Sequence, residues 1–138
     1  MKIIVCVDDN NGMMFNKRRQ SRDRLVTADV TELAAGSRLW MNGYSKPLFS
    51  QDEEGMKEDA GFLEKAGEDD YCFVENQSVQ PYLAKIDEVI VYRWNRKYPA
   101  DFYFDVDLHG WKMVGKKEFV GASHEKITRE RYRKGEAE

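Results

Sequence analysis

The stretch from Asp69 to Asp107 constrains the fold of this chain more than any other. Tyr71 to Val74 is a short unbroken apolar run, the pattern of a strand covered on both faces. Val79, Tyr82, Leu83 and Ile86 recur at helical spacing and predict one amphipathic helix. Val89 to Trp94 is a second β-branched and aromatic run. Strand, helix and strand in that order make a βαβ unit, which requires a parallel sheet core and a right-handed crossover.

A chain of 138 residues has room for one domain with its own core, so a single domain over residues 1–138 is expected, frayed from about 134 to 138. Hydrophobic residues are 41% and charged residues 34%, which excludes a disordered chain. A net charge of −3 excludes a molecule that binds nucleic acid through its whole surface. No apolar run approaches a membrane span. Met1 to Val7 has no small-residue cleavage site and runs straight into Asp8-Asp9, so it reads as strand one and a cytoplasmic location is expected. Cys6 and Cys72 lie in apolar runs and are expected to be buried, reduced and unreactive. Neither His109 nor His124 has a metal-ligand spacing with a cysteine.

Ile3 to Val7 reads as a central strand, ended by the turn residues Asp8 to Gly12. Met13 to Arg22 reads as a loop, with Ser21 as the N-cap of helix one and Asp23 in its first turn. Leu25, Val26, Val30, Leu33 and Ala34 form that helix's apolar face, and Gly36 stops it. Arg38 to Asn42 is strand two, Gly43 to Phe49 one short helix, Gln51 to Asp59 an exposed acidic loop, and Asp59 to Ala66 a further helix. Trp111 to Val114 and Glu118 to Gly121 read as two short strands about a Gly115-Lys116-Lys117 turn, with Ile127 to Arg133 as a charged edge strand.

The order of these elements resembles the dihydrofolate reductase family nearly end to end. I-I-V-C-V-D-D followed by Asn10-Asn11-Gly12-Met13-Met14 is similar to the family's first strand and active-site loop. Ser37 to Lys46 resembles the strand that ends in a Gly-Arg-x-Thr phosphate-contacting turn, and Tyr71 to Trp94 the strand, Gly-Gly turn, helix and strand that follow. Asp101 to Phe104 resembles the Asp-Thr-x-Phe-Pro segment, and Trp111 to Val114 the Trp-x-x-Val hairpin strand. The resemblance implies a three-layer α/β/α domain with a mixed sheet and an antiparallel C-terminal hairpin.

The departures from the family bear on function. Glu75-Asn76 stands where the glycine pair would face the cofactor diphosphate, so a carboxylate opposes phosphate and a Cβ blocks the approach. The phosphate-contacting turn reads Asn42-Gly43-Tyr44-Ser45-Lys46, without its arginine, and the segment from Phe49 to Asp69 is shorter than the family's. No nicotinamide cofactor is therefore expected. The catalytic carboxylate's place falls on Arg24 with Asp23 beside it; a small gap would make Asp23 the acid, against its reading as a surface residue of the first turn, and the threonine behind that acid corresponds to Tyr92.

These readings predict a binding protein for a small molecule or anion, without reductase activity. Its pocket would hold Val5, Asp23, Trp40, Tyr44, Glu75, Asn76, Tyr92 and Trp94 near the C-terminal ends of the strands. Glu75 is expected at the N-terminus of the following helix, as a built-in occupant of a phosphate's place. The alternative is a metal-dependent phosphoesterase or ribonuclease built on Asp8, Asp9, Asp105, Asp107 and His109, where Asp107-Leu108-His109-Gly110 looks like the motif of the Smr nuclease domain. Lys17, Arg18, Arg19, Arg22 and Arg24 form one basic cluster, a solvated loop or a grip for phosphate or single-stranded nucleic acid. No serine or cysteine with a helical histidine partner suggests a nucleophile triad.

Overall fold

The computed structural model describes residues 1–49 and 55–135. In chain order its elements are β1 (Lys2–Val7), β2 (Gly12–Phe15), β3 (Arg18–Arg19), α1 (Arg24–Leu33), β4 (Leu39–Met41), β5 (Met56–Glu58), α2 (Phe62–Lys65), β6 (Tyr71–Phe73), β7 (Glu88–Arg93), β8 (Phe102–Tyr103), β9 (Lys112–Phe119) and β10 (Ile127–Arg133). Seven strands form one mixed sheet in the order β5-β4-β6-β1-β7-β10-β9. β5, β4, β6, β1 and β7 run parallel, and β10 and β9 add an antiparallel edge. A small second sheet, β3-β2-β8, is antiparallel throughout.

Period-2 alternation on β1 divides the core into two. Ile4 faces one side with Val26 and Val30 of α1, Ala34 at that helix's C-cap, and Ile90 and Tyr92 of β7. Ile3, Val5 and Val7 face the other, against Phe62 and Leu63 of α2, Val79 and Ile86. Helical segments therefore cover both faces of the sheet, giving a three-layer α/β/α arrangement with few helices.

The helix expected over Val79–Ile86 is a 3₁₀ helix, Gln80–Lys85. Its apolar pairs, Val79/Tyr82 and Leu83/Ile86, are three apart, a spacing that a threefold 3₁₀ turn satisfies as well as an α-helix does. Gly43–Phe49 likewise holds one 3₁₀ turn, Lys46–Leu48, with Pro47 inside it. The acidic loop gains the short parallel strand β5 at its end, and residues 51–54 of that expected loop lie outside the described residues. So do 136–138 of the expected frayed tail.

Three other expectations are corrected. Most of the expected Met13–Arg22 loop is a β-hairpin, Gly12–Arg19: Phe15 pairs with Arg18 across Asn16 and Lys17, both at positive φ (53° and 63°), the two-residue turn whose twist matches the strands. Lysine seldom takes that conformation, which hid the turn. β9 runs unbroken through Gly115, which sits at an irregularity opposite Arg131 where one extra residue is accommodated. The true turn falls after Phe119, so β10 is interior, between β7 and β9, and β9 is the edge. Asp23, not Ser21, caps α1: its carboxylate accepts from Leu25 N at 2.9 Å.

Candidate functional site

β1 has β6 on one side and β7 on the other, so the parallel sheet reverses its winding about β1. In such sheets a crevice opens beyond the C-terminal ends of the strands at that point. Here the ends of β4 and β6 lead into Asn42–Ser45 and Glu75–Asn76, and the β2–β3 hairpin folds over them.

Arg19, the last residue of β3, fills the crevice. Its Nε donates to Glu75 Oε2 at 2.9 Å and its Nη2 to Glu75 Oε1 at 3.0 Å, a two-pronged pair. Nη2 also donates to the Tyr44 carbonyl at 3.1 Å, and the guanidinium carbon lies 4.4 Å from the Tyr44 ring centre. Tyr44 Oη accepts from Arg19 N at 2.9 Å, and Ser45 Oγ donates to Glu75 Oε1 at 2.7 Å. The Glu75 carboxylate is thus held by a guanidinium and a hydroxyl. No α-helix begins there, so the expected helix-terminus role of Glu75 is replaced by an ion pair. Outside the pair, Arg18, Arg19, Ser21, Arg22 and Tyr44 line an opening of about 490 Å³. The exposed side chains of Arg18 and Arg22 bring two further cations to its walls.

A second cluster lies beside that opening. Asp23 is buried, contrary to its expected place on the surface. Its Oδ1 accepts from Leu25 N and Ala122 N, and its Oδ2 from Ser123 N and His124 Nδ1, the last three at 2.8 Å. A Cβ on Gly121 would stand 2.5 Å from Asp23 Oδ2, so the approach of this carboxylate to the β9–β10 turn requires a glycine there. Burial alone would raise the Asp23 carboxyl. The bonds from His124, Ser123, Ala122 and Leu25 outweigh it and hold the group well below the usual carboxylate range. His124 is buried too, stacked on Trp94 with ring centres 4.6 Å apart. Its Nε2 meets Ser21 Oγ at 2.9 Å and Tyr98 Oη at 3.3 Å. Sequence reasoning missed His124, because the contact spans a separation of 103 residues and the histidine sits in a turn, not a helix.

The other expected pocket residues are dispersed. Val5 is fully buried in the core, and Trp40 is half-buried with Nε1 donating to Asp70 Oδ2 at 2.9 Å. Asn76 accepts from Asn42 Nδ2 at 2.9 Å on the surface of the crevice. Tyr92 is buried and donates to Asp29 Oδ2 at 2.6 Å. Asp29, which the sequence did not single out, is the buried carboxylate of α1 that faces the sheet. Lys117 Nζ and Arg129 Nη1 each donate to it at 2.8 Å. Burial would raise its carboxyl, but Lys117, Tyr92 and Arg129 together lower it. It is saturated with donors and held as a carboxylate.

The proposed metal ligands do not converge: among the described residues no three histidine, cysteine, aspartate or glutamate side chains are grouped to hold an ion. Asp8 is buried and occupied by the N–H groups of Asn10, Gly12 and Tyr98 and by Gln20 Nε2, while Asp9, Asp105, Asp107 and His109 are exposed. Asp105 accepts from Ser78 Oγ, and Asp107 turns back onto His109 N. Of the basic cluster, only Arg19 turns inward.

Cys72 is buried and Cys6 half-buried, a correction to the expectation that both are enclosed. Burial pushes the Cys72 thiol up to about 12. Burial, then the Glu75 carboxylate, raise the Cys6 thiol. Neither is expected to react with a thiol reagent at neutral pH on the time scale of a free cysteine, and denaturation should expose both. Following thiol release by absorbance checks this; fast modification of Cys6 in the native protein would show that the β2–β3 hairpin opens above it.

No family model matches the sequence, and no curated protein does. Among solved structures, the chain is similar to a dihydrofolate reductase from Enterococcus faecalis complexed with NADP(H) and RAB-propyl. The TM-score is 0.67 at 10% identity, over 98% of this chain and 96% of that one. The chain has a dihydrofolate-reductase-like fold and is a divergent example of it. Among the described residues no helix is long and apolar enough to cross a membrane.

Proposed function

We propose that the protein binds a small anionic molecule at the mouth of the strand-end crevice and carries out no nicotinamide-dependent reduction. The observation that carries this reading is the opening of about 490 Å³ walled by Arg18, Arg19 and Arg22. The exposed arginines Arg18 and Arg22, with planar donor forks beside one concavity, suit carboxylate or phosphate, while the fork of Arg19 is turned to Glu75. A dinucleotide in the manner of the resembled fold does not fit. The place of its diphosphate holds the Glu75 carboxylate, and Arg19 occupies the crevice in front of it. A reductase acid is also wanting: Asp23 and Asp29 are both held ionised by several donors and have no proton to give near neutral pH. Two unpaired cysteines suit the reducing cytoplasm, where we place the protein.

Fluorescence titration tests the reading, because Trp94, stacked on His124, reports from the cluster beside the opening. Inorganic pyrophosphate is expected to saturate the protein, with affinity falling as salt is raised. NADPH is expected to give no saturable signal in the micromolar range, which corresponds to about −8 kcal/mol. Micromolar NADPH binding would overturn the cofactor argument, and indifference to pyrophosphate would overturn the anion site.

A further inference from the structure

We infer that Ser21, His124 and Asp23 form a nucleophile, base and carboxylate set that hydrolyses an ester of a small anionic acid. The substrate's charge rests on the anion reading above; the chemistry does not. Asp23, fully engaged as an acceptor, places the proton of His124 on Nδ1 at 2.8 Å. That leaves Nε2 as an acceptor 2.9 Å from Ser21 Oγ, the arrangement that activates a serine hydroxyl. The ring cannot swing away easily, since Trp94 stacks on one face and the backbone of Ser123 pins the Asp23 carboxylate beside it. A purely structural cluster would need only Asp23 and His124 to fasten the β9–β10 turn to α1. Ser21 fastens nothing further: it is half-buried and lines the arginine-walled opening.

In the first step Ser21 Oγ bonds to the ester carbonyl carbon while its proton passes to His124 Nε2. The tetrahedral intermediate collapses, its C–O bond breaks, and the leaving alkoxide takes the proton from Nε2. Water then adds to the acyl-serine with its proton moving to Nε2, the acid leaves, and Ser21 recovers its proton. Tyr98 Oη, 3.3 Å from Nε2, is the second hydroxyl at that nitrogen, with Ser21 Oγ the nearer of the two. The Arg18 and Arg22 side chains on the wall would hold the acid portion of the substrate.

Two probes test the set in the whole chain. A fluorophosphonate should add to Ser21, forming an O–P bond with loss of fluoride, as read by intact mass and peptide mapping. Ser21→Ala should abolish the adduct. Mono-4-nitrophenyl succinate should be hydrolysed, with Ser21→Ala and His124→Gln each slower by about a hundredfold or more. Ser21→Ala should melt with the parent, which keeps the comparison valid if His124→Gln fails to fold. Hydrolysis of neutral 4-nitrophenyl acetate in preference to the succinate ester, with Ser21 still labelled, upholds the set and overturns the anion reading. Pyrophosphate binding without labelling of Ser21, or equal hydrolysis by parent and Ser21→Ala, overturns the set and leaves the anion reading standing.

Discussion

Asp23→Ala is expected to destabilise the protein by about 3–5 kcal/mol, because four donors lose the buried acceptor they share and each donor left unmet out of water costs about 1–3 kcal/mol. Part of this, about 1 kcal/mol, is the lost helix cap. The rest is the N–H groups of Ala122 and Ser123 and the ring of His124, which would all lose their acceptor. On a chain of this length the melting temperature should fall by roughly 10 °C or more. The same carboxylate should also govern acid stability. Its folded-state pKa is depressed, so its stabilising contribution is full above the unfolded value of about 4 and is lost as pH falls below that toward the folded value. The parent should therefore lose stability steeply below about pH 4, and the variant, already without this contribution, less steeply. Thermal melts across that range decide it. A variant within about 1 kcal/mol of the parent would mean that the β9–β10 turn holds its shape without Asp23.

Glu75→Gln is expected to convert the closed crevice into a stronger anion site. The amide keeps the shape and one hydrogen bond, but it no longer neutralises Arg19, whose side chain is 22% exposed. Opposite charges at about 4 Å are worth up to about 4 kcal/mol at an effective dielectric constant of 20, so a tenfold gain in pyrophosphate affinity, about 1.4 kcal/mol, is a modest demand. The free protein should lose about 1–3 kcal/mol of stability and recover part of it on saturation. Adding Arg19→Met should erase the gain, because the cation that receives the anion is gone. If Glu75→Gln and the double variant bind pyrophosphate equally, Arg19 is not part of the anion site.

The legible part of this fold is what local pattern encodes. β1, β6 and β7 announced themselves as apolar runs because a strand covered on both faces has no polar side, and β1 is indeed flanked by the other two. What escaped were elements whose cause lies elsewhere in the chain. Lys17 takes a left-handed conformation because Phe15 and Arg18 pair around it, not because lysine favours it. Gly115 looked like a turn but sits inside β9, where Arg131 opposes it. The same holds at the candidate site. Glu75 was visible as an anomaly in its turn, yet its partner Arg19 lies 56 residues away, and nothing local joins them. Asp23 read as an ordinary first-turn carboxylate because its donors come from Ala122, Ser123 and His124. Charge pairing over such distances leaves no periodic trace.

The clasp between Asp23 and the turn at residues 121–124 also orders events in time. Its hydrogen bonds join groups 99 to 101 residues apart, and Asp29 reaches Arg129 over 100. A ribosome delivers α1 long before it delivers those partners, at about 5–20 residues per second. Through that interval the start of α1 has its cap but a carboxylate without its counterweight, and His124 does not yet exist. Ser21 can therefore acquire its neighbour only when the last hairpin closes, so whatever chemistry the cluster performs is withheld from the nascent chain until the sheet has been completed.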